Sequence, residues 1–257
     1  VLNADGLPSF LLPDWPAPAS VRALQTTRNG GVSQAPYASF NLGLHTGDAP
    51  EAVRKNRAML AANLPNEPVW LEQVHGTEVL SLSGERFSRA PGADAVVCRV
   101  PGQVCAIMTA DCLPVLFCDL AGEVVAAAHA GWRGLAAGIL ENTVHAMETE
   151  PEKILVWLGP AIGREAFLVG SDVRDAFVAA DSIASAAFFP TATPEKYHAD
   201  LYALARQRLN KAGVTRIFGG NYCTFSEPQR FFSYRRNGIT GRMASLVWLA
   251  GYPGSRL

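Results

Sequence analysis

The sequence predicts one α/β (α+β) domain with a mixed sheet core and helices packed outside it. Apolar runs of strand length alternate with segments of helical periodicity. Apolar residues make up 49% of the 257 positions and charged residues 18%, with a mean hydropathy of +0.10. That composition belongs to a chain that buries a large core and does not stay disordered. No internal repeat, low-complexity tract or linker divides it.

Each element follows in chain order. Residues 1–20 are rich in proline and aspartate and read as an extended N-terminal arm; residues 21–257 read as a single domain. A strand is predicted over 21–27, then the turn Asn29-Gly30-Gly31 and a polar, glycine-rich loop to Asp48, suited to the wall of a site. The spacing predicts a helix over 50–64. Strands follow at 69–71, 78–82, 94–98 and 104–108, the last two around Pro101-Gly102. Apolar runs at 115–118 and 123–128 flank the turn Leu120-Ala121-Gly122 and predict a hairpin. A helix is expected over 135–149 and a strand over 154–158. Ser171 is a candidate N-cap for a helix over 171–180, with Asp172 favourable in its first turn. The longest helix is expected over 195–212, burying Leu201, Leu204, Ala205 and Leu209. A short strand at 217–219, a basic aromatic loop at 226–241 and a strand at 243–249 complete the chain.

Net charge is −1, which gives no bulk attraction to nucleic acid or an anionic membrane. No apolar run reaches the length of a membrane helix. The first 20 residues lack a signal-peptide pattern. Five cysteines are an odd number, and Cys98, Cys105 and Cys118 lie in apolar strands. Reduced, buried thiols in a cytoplasmic protein are expected.

The hairpin organises the chemistry. Antiparallel pairing places the start of one strand beside the end of the next, so Cys112 and His129 become neighbours despite a separation of 17 positions. His75, in a Gln-Val-His-Gly turn, completes a Cys-His-His set. Three protein ligands with an open position suit catalytic zinc. The same residues also suit a thiol nucleophile with a histidine base, or ordinary packing. A multicopper centre would need His-x-His pairs, and the chain has none. His45 sits in the glycine-rich loop, while His145 and His198 fall in predicted helices. Arg28 and Arg236 are candidates for holding an anion through bidentate hydrogen bonds. Phe231, Phe232 and Tyr234 can stack on a flat base or pack in the core. Asp94 and Asp111 each suit orienting a ligand or capping a turn.

The motifs SFNLGLHTGD, WLEQVHG, ADAVV, TADCLPV, AHAGWRG, LGPAIG and FFSYRRNGITGRM occur in this order. Together they resemble the YfiH-like, or laccase-domain, family over nearly the whole chain. The resemblance implies an α/β/β/α layering. It implies that His75, Cys112 and His129 bind zinc. It implies phosphorolysis of adenosine, inosine, guanosine and methylthioadenosine by inorganic phosphate, with adenosine deamination besides. The family's older label implies copper and phenol oxidation. Some relatives are linked instead to amide hydrolysis on faulty peptidoglycan precursors, and a protein with purely structural zinc is a further alternative. Asn41 and Gln73 are expected to orient nucleoside or support a ligand. The sequence leaves the oligomeric state open.

Overall fold

A computed structural model describes residues 10–251. The chain opens with β1 (Phe10–Leu11), β2 (Val21–Thr26) and α1 (Pro50–Ala61). Next come β3 (Val79–Leu82), β4 (Ala95–Cys98), β5 (Cys105–Thr109), β6 (Leu113–Asp119) and β7 (Val125–Ala130). Helices α2 (Trp132–Ala137) and α3 (Ile139–Ala146) lead to β8 (Ile154–Leu158) and β9 (Leu168–Gly170). Then follow α4 (Ser171–Val178), β10 (Phe188–Pro190), β11 (Lys196–Ala199) and α5 (Leu201–Lys211). The last elements are β12 (Arg216–Gly219), α6 (Tyr234–Asn237) and β13 (Met243–Leu249).

Two sheets carry the domain. One has six strands in the order β12-β8-β6-β7-β4-β3, and the other four in the order β1-β2-β13-β5. In the six-stranded sheet the β12/β8 and β3/β4 pairs are parallel and the others antiparallel. A third, small sheet has the order β10-β11-β9.

The period of two along each strand sorts the core into layers. Val97, Val115, Phe117 and Ala128 turn toward Leu140 and Val144 of α3 and Leu204 of α5. Val96, Leu116, Cys118 and Trp157 face the opposite way, against Cys105, Ile107 and Val247 of the four-stranded sheet. The far face of that sheet, with Leu24, Ala106 and Leu246, packs on Leu60 of α1. The result is helix, sheet, sheet, helix, as the motifs imply. Each fully buried aliphatic side chain contributes about 1.5–3 kcal/mol.

Several local expectations are corrected. The predicted helix over 135–149 is two helices, broken where Gly138 takes φ 105. The predicted helix over 195–212 begins only at Leu201, where Asp200 accepts from the amide of Ala203. Residues 196–199 are instead a strand, held between β10 and β9, so His198 is on a strand and not on a helix. Leu201, Leu204, Ala205 and Leu209 are the buried face of α5, as expected. Ser171 is the first helical residue, and Gly170 occupies the N-cap without a side-chain bond. β4 and β5 flank Pro101-Gly102 but enter different sheets. Of the proposed arm, Phe10–Leu11 pairs with β2, and residues 1–9 lie outside the described residues.

Candidate metal centre

The hairpin of β6 and β7 has the register Leu113↔Ala130 and Pro114↔His129. Cys112 therefore stands at the open end of the hairpin, one residue beyond the pairing, beside the end of β7. His129 lies within β7, one residue short of its end, and not past it. The third side chain comes from the segment before β3. Val69 there makes a single bridge to Cys105, and His75 follows in a turn with φ 61.

That left-handed turn is fixed from beneath. The amides of Val74, His75 and Gly76 all donate to the Asp94 carboxylate, at 3.1, 2.9 and 2.7 Å. Consecutive amides turned to one side form a nest for an anion. Asp94 is fully buried, and its Oδ1 also lies 2.8 Å from His129 Nδ1. One carboxylate thus sets both the His75 turn and the His129 ring. With Nδ1 committed to Asp94, Nε2 is the nitrogen His129 offers to a ligand. The His129 amide bonds the Asp94 carbonyl at 2.7 Å, tying the same two residues through their backbones.

The three candidate ligand atoms lie within 4.8 Å of one another. Cys112 Sγ is 3.8 Å from His75 Nε2, and the two imidazoles meet edge to face at 4.7 Å. Space for this approach comes from Gly131. A Cβ there would stand 2.7 Å from His75 Cδ2 and 3.2 Å from Cys112 Sγ.

The electrostatics favour a charged thiol. Burial raises the Cys112 pKa, but the charge of His129 and hydrogen bonds from both histidines outweigh it and bring it to about 6. Burial alone would lower the His129 pKa, yet Cys112 and Asp94 hold it up at about 9. Without metal the two form a thiolate–imidazolium pair across neutral pH. Asp94 is kept below its ordinary range: burial would raise it, and His129 with the Gly76 and Val74 amides more than offsets that. A thiolate and two imidazoles, one with its tautomer fixed, are a donor set that fits zinc, and they also suit copper.

The other residues singled out from sequence have their polar atoms engaged nearby. Arg28 donates to Ala38 O at 3.1 and 3.0 Å and to Pro228 O at 3.0 Å. Arg236 donates to the carbonyls of Thr224, Phe225 and Phe231 at 2.7–2.8 Å, and to Asn237 Oδ1. Asn41 is fully buried; its amide donates to Thr46 and Asp48 and accepts from the amides of Gly43 and Arg242. Gln73 exchanges two hydrogen bonds, each 2.8 Å, with the backbone of Met108. Phe231 and Phe232 are core residues, whereas Tyr234 is 60% exposed. Asp111 accepts from the Thr224 hydroxyl and the Arg235 amide, both at 2.6 Å, and so moors α6 beside Cys112.

Among the described residues, no helix is long and apolar enough to cross a membrane, and no second such His/Cys/carboxylate group is found. A family model described as "Multi-copper polyphenol oxidoreductase laccase" matches residues 22–250. The chain is 59% identical to "Purine nucleoside phosphorylase YfiH" of Escherichia coli, over 93% of this chain and 98% of that one. It is 40% identical to a Streptomyces coelicolor protein also named purine nucleoside phosphorylase, over 87% and 93%. Among solved structures, a Neisseria meningitidis protein superposes with a TM-score of 0.90 at 55% identity, covering 94% of this chain and 99% of that one. A Bacillus licheniformis protein named YfiH gives 0.87 at 33% identity, covering 94% and 97%. On the span of that match and the depth of these likenesses, the chain belongs to the laccase-labelled, YfiH-like family.

Proposed function

We propose that the protein is a zinc-dependent purine nucleoside phosphorylase that also deaminates adenosine. The observation that carries this is the convergence of His75, Cys112 and His129, with Asp94 fixing the histidine tautomer. The names of relatives up to 59% identical direct the choice of substrate. Nucleoside cleavage moves no electrons to or from the ion, so a redox-inert metal suffices. A multicopper oxidase would need further metal sites, and the described residues gather only this one group.

In this reading His75 and His129 bind as neutral imidazoles and Cys112 as thiolate. When bound, zinc supplies Lewis-acid polarisation at its open position. The chain supplies the rest. Asp94 holds the His129 proton at Nδ1 and keeps the His75 turn in place. Gly131 leaves room for the ring and the sulfur to approach. Tyr234, exposed on the helix moored by Asp111, offers a face for the purine. Phosphorolysis then forms a bond from phosphate oxygen to C1′ of the ribose while the bond from C1′ to the base breaks. The base departs with the electron pair and takes up a proton. We assign Arg28, Asn41, Gln73 and Arg236 to shaping the loops around this site.

The test is direct. Metal-loaded protein incubated with inosine should release hypoxanthine only when phosphate is present, and with adenosine it should also release ammonia. Hypoxanthine release at the same rate without phosphate, or none under either condition, would sink the reading.

A further inference from the structure

Arg28, Arg57, Arg236 and Arg242 differ in what occupies their donors. Arg28 and Arg236 spend theirs mainly on backbone carbonyls. Arg57 donates Nε to Leu42 O at 2.9 Å, lies 4.1 Å over the Trp70 ring, and makes only a long contact, 3.8 Å, from Nη2 to Met108 Sδ. Arg242 donates Nη1 to Thr240 O and Gly241 O, each at 3.1 Å. Among the described residues, Arg57 Nη1 and Arg242 Nε and Nη2 have no hydrogen-bond partner, and neither arginine forms an ion pair. Burial lowers the Arg57 pKa to about 10; Glu67 offsets this only in part and is itself bonded to Trp70 Nε1.

The segments that carry these two partly buried arginines meet at Leu42. Leu42 donates its amide to Arg242 O and accepts from Arg57. A Cβ on Gly43 would stand 2.9 Å from Arg242 Cγ, so the loop gives way to let the arginine stem pass. In the ladder Met243 pairs with Thr109, which sets Arg242 beside Ala110, two residues from Cys112. Met108, touched by Arg57, is bonded to Gln73, two residues from His75. Burial lowers the Arg242 pKa, and the charges of Cys112 and Asp111 offset that only in part. His45 completes the group. Burial and then the charges of Arg242 and Arg57 hold its pKa below the ordinary value, so it stands neutral at pH 7.

We infer that Arg57 and Arg242 form the oxyanion grip of the site and hold the phosphate consumed in phosphorolysis, an assignment that rests on the phosphorylase reading. Spare guanidinium donors in a partly dry setting match the oxygens of a phosphate dianion. The sequence suggested Arg28 and Arg236 for this role; the difference lies in donors already spent, which no sequence pattern reveals.

The experiment titrates inorganic phosphate calorimetrically into metal-loaded wild type, Arg57→Met and Arg242→Met, with circular dichroism on each. Both variants should bind phosphate about 10- to 100-fold more weakly. Their KM for phosphate should rise by a similar factor while KM for inosine stays within about twofold, a split that a loop-holding role would not produce. If a methionine variant does not fold, Arg57→Lys or Arg242→Lys replaces it. Lysine keeps charge and stem but loses the fork, so phosphate KM should rise at an unchanged melting temperature. Variants that bind phosphate as wild type does, or a wild type that binds none, would overturn the grip. Wild type that binds phosphate through these arginines yet leaves inosine intact would overturn the phosphorylase reading alone.

Discussion

The Asp94 carboxylate makes four contacts with two of the three ligand-bearing segments, three from backbone amides and one from an imidazole. Replacing it with asparagine keeps the shape but loses the charge and turns a donor toward at least one of those groups. Partners of ligating histidines typically set metal affinity by 10- to 100-fold. Asp94→Asn should weaken metal binding by about that factor, read by competition with a chromophoric chelator. The same residues dictate a proton count. Between pH 6 and pH 9 the metal-free pair is Cys112 thiolate with protonated His129. Metal must then expel the His129 proton, so this pair releases about one proton per ion in that window. It releases about two below pH 6, where the thiol is protonated, and none above pH 9. Metal affinity from this pair should therefore rise about tenfold per pH unit between those limits. Calorimetry in buffers of differing ionisation enthalpy checks the count. The sequence already showed Asp94 as an acid at a strand entry. Its role stayed closed because its partners are amides, and only the φ of His75 turns three of them to one point.

At the scale of elements, the β6/β7 hairpin was legible because two apolar runs flank a short turn, and that register alone brings Cys112 to His129. The helix expected over 195–212 was not legible in full. Lys196–Ala199 has no strong strand pattern and is made a strand by the partners on both sides, β10 and β9. The signal that marks the true helix start was present: Asp200 precedes an apolar helical face and caps it. Ser171 misled because a serine near a helix start usually caps, and here the chain enters the helix one residue earlier. Cys118 tests the separation of core from chemistry. It is fully buried between the two sheets, against residues such as Cys105 and Trp157. Cys118→Ser should lower stability by about 1–3 kcal/mol by burying a hydroxyl that is poorly paired. Turnover per folded molecule should not change, measured as rate against the folded fraction in a urea titration.

The whole molecule puts its metal-capable centre at one end of the hairpin while the layers between the helices and sheets hold the fold. Two core layers of apolar side chains lie on either side of the six-stranded sheet. A chain of 257 residues is long enough that its fold is expected to survive the loss of one bound ion. Layering and site ligands were both implied by motifs spread along the chain. Which arginines keep free donors was not, because that depends on where loops far apart in sequence place their carbonyls.

In the proposed function His75, Cys112 and His129 hold the ion on which nucleoside cleavage depends. Cys112→Ala removes the softest ligand and its negative charge, leaving two neutral nitrogens that hold zinc poorly. The deciding measurement is metal content per chain for this variant, taken with phosphate-dependent hypoxanthine release and circular dichroism on the same sample. The expected result is a folded protein with its metal and its activity both lost. A folded Cys112→Ala that keeps one tightly bound zinc and full phosphorolysis would contradict it.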